Sequence, residues 1–208
     1  MRTIAVLMGC LCVCMTSVAW AGPSPAGLMG NINTPSADVL RPGQFGVGFY
    51  AVEGGTLTMA AVAPISGLEL GVASLPENGG RDSGVRLDIK TTLLSEAILL
   101  PGVVLGLEDV ANERERSPYL AVSKTGPWGF RLHAGVGGGR FDGAFATLEK
   151  TFRPSRHPHA KQFAPTTLLM EYDGQHMNYG LRVEVNKGVK IEGGRQHDKW
   201  YAGLSVLH

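Results

Sequence analysis

The chain has 208 residues, 19 of them basic and 18 acidic. This even balance, with no basic block and no acidic tail, argues against a nucleic-acid partner and against a disordered acidic segment. The length suits a single domain behind a leader.

Residues 1–21 read as a signal peptide. Arg2 supplies the positive start, Ile4 to Met15 is uncharged and largely apolar, and Ala19-Trp20-Ala21 has the small-x-small form that precedes cleavage. An anchoring helix and a lipobox at Leu7-Met8-Gly9-Cys10 are the alternatives; the apolar run is short for a bilayer span, and Gly22, Pro23 and Pro25 soon follow it. Cleavage near Ala21 removes Cys10, Cys12 and Cys14, all the cysteines of the chain. The mature protein would then have no disulfide, thiolate metal site, haem attachment or cysteine nucleophile. It would also lose Arg2, which leaves basic and acidic side chains equal in number.

Residues 22–43 are rich in Pro and Gly and predict an extended segment on the periplasmic side. From Gln44 onward, apolar and polar residues alternate in stretches of roughly ten, each closed by Gly, Pro, Asn or Asp. Twelve runs follow: Gln44 to Val52, Leu57 to Pro64, Leu68 to Ser74, Ser83 to Leu93, Gly102 to Val110, Pro118 to Lys124, Gly129 to Val136, Ala144 to Phe152, Thr166 to Tyr172, Met177 to Val185, Val189 to Arg195 and Trp200 to Leu207. Ser66-Gly67, Gly126-Pro127 and Asn186-Lys187-Gly188 carry tight-turn chemistry. The breaks after odd-numbered runs are mostly longer and more polar. Two long breaks, Leu94 to Pro101 and Arg153 to Ala164, interrupt that asymmetry.

Val85-Arg86-Leu87-Asp88-Ile89-Lys90 shows the alternation most clearly. One face of the predicted sheet carries Val85, Leu87, Ile89, Leu105, Leu132 and Leu181; the other carries Arg86, Asp88, Lys90, Glu108, Arg131, His133, Arg182 and Glu184. No apolar run of the mature chain reaches the roughly 18 residues of a membrane helix, so a spanning protein must be a closed sheet. The predicted fold is an all-β, up-and-down antiparallel transmembrane β-barrel of about twelve strands over residues 44–208. The eight polar residues are its candidate lumen-facing set, where charges of mixed sign can pair. Alternation by itself also fits the inverse: a secreted soluble β-barrel or sandwich, with the apolar face as core, binding glycan or protein.

No catalytic, cofactor or metal site is predicted. His157 and His159 lie two apart in a loop with Arg153, Arg156 and Lys161, but no carboxylate lies close in sequence, and Zn²⁺ needs three or four ligands. That basic loop is a candidate periplasmic contact for anionic lipid or glycan. Ser123 and His133 could meet across neighbouring strands, yet no hydrolase motif surrounds them. Gly135 to Gly139 is no phosphate loop, because no helix follows; such glycines suit close approach within a barrel. Trp128, Tyr172, Tyr179, Trp200 and Tyr201 fall near strand ends, either as interface girdles or as core aromatics.

Several segments resemble the YjbH-like family of outer-membrane proteins linked to exopolysaccharide and capsule clusters. Gly27-Leu28-Met29-Gly30-Asn31-Ile32-Asn33-Thr34-Pro35-Ser36-Ala37 is similar to its opening motif, Pro101 to Asp109 to its apolar segment ending in Gly-x-x-Asp, Tyr119 to Lys124 with Gly126 to its next hairpin, and Glu171-Tyr172-Asp173-Gly174 to a strand-to-turn motif. The chain has the size of one barrel module of that family, and it ends Val206-Leu207-His208 rather than in an aromatic. The resemblance implies a non-enzymatic outer-membrane protein of the Gram-negative cell envelope. Its partners would be outer-membrane lipid, polysaccharide and other envelope biosynthesis proteins.

Overall fold

The computed structural model describes residues 22–76, 84–154 and 163–208. The predicted signal peptide, and Arg156, His157, His159 and Lys161 of the basic loop, lie outside the described residues; Arg153 lies inside them and is exposed.

Two short strands come first, β1 (Gly22–Pro23) and β2 (Met29–Gly30), paired with each other. Twelve longer strands follow: β3 (Phe45–Val52), β4 (Gly55–Ile65), β5 (Leu68–Leu75), β6 (Gly84–Leu94), β7 (Gly102–Glu108) and β8 (Ser117–Thr125), then β9 (Phe130–Gly137), β10 (Gly143–Phe152), β11 (Thr166–Tyr172), β12 (Met177–Asn186), β13 (Val189–Gln196) and β14 (Lys199–Leu207). Each pairs antiparallel with the next, and β14 returns to β3 to close the barrel, in register from Ala202 opposite Ala51 to Leu207 opposite Gly46. Beyond the strands, His208 and Phe45 exchange backbone hydrogen bonds of 3.0 and 3.1 Å, and their rings meet at 5.4 Å. Closure leaves no unpaired edge, as a lipid-exposed sheet requires.

The alternation resolves with its apolar side outward. Val85, Leu87, Leu132 and Leu181 are exposed, while Arg86, Asp88, Lys90, Arg131 and His133 are buried inside. A soluble barrel would need the reverse, because so continuous an apolar belt is unfavourable in water. Trp128, Tyr172, Tyr179 and Trp200 also point outward near strand ends; Tyr201 turns inward and donates to Glu192 at 2.9 Å.

Turn length does not distinguish the two rims. The near rim, where β3 starts and β14 ends, carries connections 66–67, 95–101, 126–129, 153–165 and 187–188. The far rim carries 53–54, 76–83, 109–116, 138–142, 173–176 and 197–198. Both rims therefore mix two-residue turns with longer loops.

Inward aromatics lie flat against the wall because glycines face them across the ladder. Gly106 is in register with Tyr119, Gly135 with Phe145 and Gly203 with Tyr50. A Cβ at any of the three would fall within the facing ring. The rings thus cover bare backbone and leave the axis of the barrel free for another segment.

Candidate functional site: the occupied lumen

That segment is residues 22–43. The sequence suggests an extended stretch outside the barrel, whereas the structure threads it through the lumen as a plug. Ser24, Ala26, Leu28, Met29, Asn31, Ile32, Thr34, Ser36 and Leu40 are all buried. The chain passes Pro23, whose carbonyl accepts from the Tyr50 hydroxyl, and reaches toward the far rim at Asn33. It returns through Asp38 and Leu40 to enter β3. Leu28, Met29, Ile32 and Leu40 pack on one sector of the wall, formed by Tyr50, Leu57, Met59, Ala61, Ala63, Ala73, Leu169 and Tyr201. A second apolar patch, Val104, Tyr119, Ala121, Phe141 and Phe145, meets Ala37 and Val39 of the plug, and charged side chains line much of the wall between.

A plug with so little regular structure must satisfy its backbone groups elsewhere, and wall side chains do this. Carboxylates take the N–H groups. Glu69 accepts from Met29 at 2.7 Å and Leu40 at 3.1 Å, joining the outgoing and returning legs. Glu171 accepts from Ile32 at 3.0 Å, Asn33 at 2.8 Å and Thr34 at 3.0 Å. Cations take the carbonyls. Lys90 Nζ donates to Met29 O at 2.7 Å and Asp38 O at 2.6 Å, Arg182 to Gly30 O and Asn31 O, Arg140 to Asn33 O at 2.9 Å, and Arg86 to Ala26 O.

The same charges pair with one another, which offsets the cost of placing them inside. Arg86 Nε lies 2.9 Å from Asp88 Oδ1, and Glu108 is shared between Arg86 and Arg140. Arg131 meets Asp38 of the plug at 2.6 Å and Glu96 at 2.9 Å. Arg182 meets Glu192 at 2.5 Å and Glu149 at 3.6 Å.

Seven of the eight predicted lumen residues are thus brought into one network around the plug: Arg86, Asp88, Lys90, Glu108, Arg131, His133 and Arg182. Glu184 is only half-buried, next to the near-rim bulge between β12 and β13 and opposite Lys190. Glu69, Glu149, Glu171 and Glu192 belong to the same network; Glu69, Glu171 and Glu192 each sit between apolar or small neighbours and are readable from the same alternation, whereas Glu149 lies between Leu148 and Lys150. Arg140 is not readable in this way: it lies in the 3₁₀ turn Gly139–Phe141, where period two gives no signal.

Ser123 and His133 do meet, Oγ to Nδ1 at 2.7 Å, and His133 Nε2 stands 3.8 Å from Glu149. These are residue types of a hydrolytic triad. However, the Ala37 N–H donates to Ser123 Oγ at 2.7 Å, and the serine and histidine are sealed behind the plug. The cluster anchors the plug's returning leg.

Two carboxylates organise the far-rim loops. Asp109, in the left-handed region at φ 56°, accepts from the N–H groups of Glu113 at 2.9 Å, Arg114 at 2.7 Å and Glu115 at 2.9 Å. Burial works against its ionisation, but these three donors and the Arg86 charge outweigh it and hold its carboxyl below the usual range. Asp173 accepts from the His176 N–H at 2.8 Å and from Asn33 Nδ2 and Asn178 Nδ2 at 2.8 and 2.9 Å. Again burial opposes ionisation, and hydrogen bonds, the His197 one foremost, hold the carboxyl well below the usual range.

The four segments quoted for the family resemblance converge here. The opening segment is the plug. Glu171 and Asp173 hold its tip, Ser123 its returning leg, and Glu108 pairs with the Arg140 that caps Asn33. Residues 24–167 match the YjbH family, described as exopolysaccharide biosynthesis protein YbjH. The chain belongs to that family. No curated protein sequence matches it. Two solved structures are similar to this YjbH-family barrel: a KdgM porin, with a TM-score of 0.51, and the KdgM porin in complex with disordered oligogalacturonate, with a TM-score of 0.52. Each is 12% identical, and each match covers 79% of this chain and 98% of the other. At that identity the likeness is one of fold, a closed barrel of the outer-membrane type.

Proposed function

We propose that this YjbH-family chain is a non-enzymatic outer-membrane β-barrel that supports exopolysaccharide or capsule export, or assembly at the cell surface. The observation that carries the reading is the occupied lumen of a barrel whose outer face is apolar, in a chain of the exopolysaccharide family. A lumen closed by the chain's own N-terminal segment fits a scaffold or a gated conduit and not a standing open pore. A similar porin in complex with an oligogalacturonate makes a saccharide the natural class of cargo or contact. The near rim, with Arg153 and the predicted basic loop, would face the periplasm.

Deleting the gene in a strain that makes surface polysaccharide, and complementing it, tests this reading. The expected outcome is a changed amount or retention of surface glycan, restored by the full chain. An unchanged glycan profile under producing conditions defeats the proposal.

A further inference from the structure

Asp173 and His176 belong to the far-rim connection between β11 and β12, and His197 to the connection between β13 and β14. The barrel brings the two loops side by side, and one ligand-capable atom from each of the three residues lies within 4.8 Å of the others. The His176 and His197 rings are 4.6 Å apart, and His197 Nε2 is 2.6 Å from Asp173 Oδ2. We propose that Asp173, His176 and His197 form a site for a divalent transition-metal ion of the Zn²⁺ type at the far rim.

Two imidazoles and a carboxylate are a donor set that Zn²⁺ accepts with a fourth, open position. A tetrahedral site with bonds of about 2.0 Å spaces its donors roughly 3.3 Å apart, so His197 and Asp173 need open by less than about 1 Å. Coordination through Nε2 puts the His197 ring proton on Nδ1, and the hydrogen bond to Asp173 is exchanged for a shared ion.

The groups that fix the donors are already in place. His197 is held at φ 49°, with its N–H donating to Asn178 Oδ1 at 2.9 Å. Asp173 Oδ1 is fixed by the Gln175 and His176 N–H groups at 3.1 and 2.8 Å, leaving Oδ2 toward His197. Supporting shells of this kind orient metal ligands.

The local charge also favours a cation. Asn178 Nδ2 bridges Asp173 to Glu171, and Glu108 already takes up the nearby Arg140 bidentately. Asn33 of the plug tip touches both Asp173 Oδ2 and His197 Nε2, at 2.8 and 3.1 Å. An ion here would therefore sit against the plug tip.

The test is calorimetric titration of Zn²⁺ into the untagged full-length barrel in detergent, with His157→Ala/His159→Ala as the background so that the basic loop cannot contribute. The expected result is one Zn²⁺ per barrel, with Co²⁺ giving visible bands of tetrahedral coordination. Loss of an outer-shell partner alone costs roughly 10- to 100-fold in affinity, so adding His176→Ala weakens binding at least about that much. His197→Ala does the same. Heat-modifiable migration reports that each variant is folded. A folded background barrel that binds no Zn²⁺, or binding that survives both His176→Ala and His197→Ala, overturns the proposal.

Discussion

Thr34 and Glu171 meet inside the barrel, 137 positions apart in the chain, and Thr34 gives the carboxylate two bonds: its N–H at 3.0 Å and its hydroxyl at 2.8 Å. With the Ile32 and Asn33 N–H groups, they make Glu171 the main clasp on the plug tip.

Glu171→Ala should release that tip. It leaves the Ile32, Asn33 and Thr34 N–H groups without their acceptor, and an orphaned buried donor costs about 1–3 kcal/mol. On the wall, Asn178 Nδ2 keeps Asp173 and the Thr147 hydroxyl keeps Thr34, so the loss should fall mainly on the plug. Amide exchange of residues 31–34 should accelerate at least about tenfold, while the heat-modifiable gel shift is retained. Planar-bilayer recordings should show openings that the parent lacks, and removal of residues 24–39 should make them permanent. Equal conductance from all three proteins would mean that the plug is not what closes the lumen.

Leu87→Arg probes the outward face. Arg near the bilayer midplane of a barrel costs about 2–4 kcal/mol, whereas an exposed surface position in water tolerates it within about 0.5 kcal/mol. Urea unfolding in lipid vesicles separates these values. A negligible change would show that Leu87 does not meet lipid.

Gly106→Ala tests the glycine–aromatic pairs. The added Cβ would land in the Tyr119 ring, which is buried and edge-packed on Phe141 with centroids 5.4 Å apart. Overpacking of this kind costs about 1–3 kcal/mol. In a Tyr119→Ala background the same Gly106→Ala change should cost far less, read as the shift in the midpoint of urea unfolding.

Asp109 makes the loop after β7 sensitive to acid. Its carboxyl titrates lower in the folded protein than in the unfolded chain. The stabilisation is therefore complete above the unfolded value of about 3.9 and declines as pH falls through the lower folded value. Exchange of the Glu113, Arg114 and Glu115 amides, corrected for intrinsic rate, should be pH-independent from 7 to 5 and rise below about 4. Asp109→Asn should show the faster exchange at every pH.

The barrel is legible in the sequence because each strand must place lipid and lumen on opposite faces, and that constraint is written residue by residue. All twelve runs reappear as strands within a few residues of their expected ends, and the apolar side of the alternation, Val85, Leu87, Leu132 and Leu181 among it, is exposed. The plug is not legible for the opposite reason. Its backbone is bound by Glu69, Lys90 and Glu171, so its own side chains need no period. Leu28, Met29, Ile32 and Leu40 are the trace it leaves, four large apolar residues in a stretch otherwise read as an extended periplasmic segment. The pairing of Asp173, His176 and His197 escapes for a different reason: strand register, and not sequence distance, brings their two loops together.

The seam between β14 and β3 joins the two ends of the barrel, and the plug leads directly into β3. A folded cylinder offers residues 22–43 no cheap way in, since the wall charges that bind them would first have to be bared. The order of assembly follows. Residues 22–43 must be gathered against the growing sheet before the last ladder zips, so the final closing event in biogenesis also seals the lumen. A chain caught with its seam open should therefore still carry its plug, bound to Glu69 on β5 and Lys90 on β6.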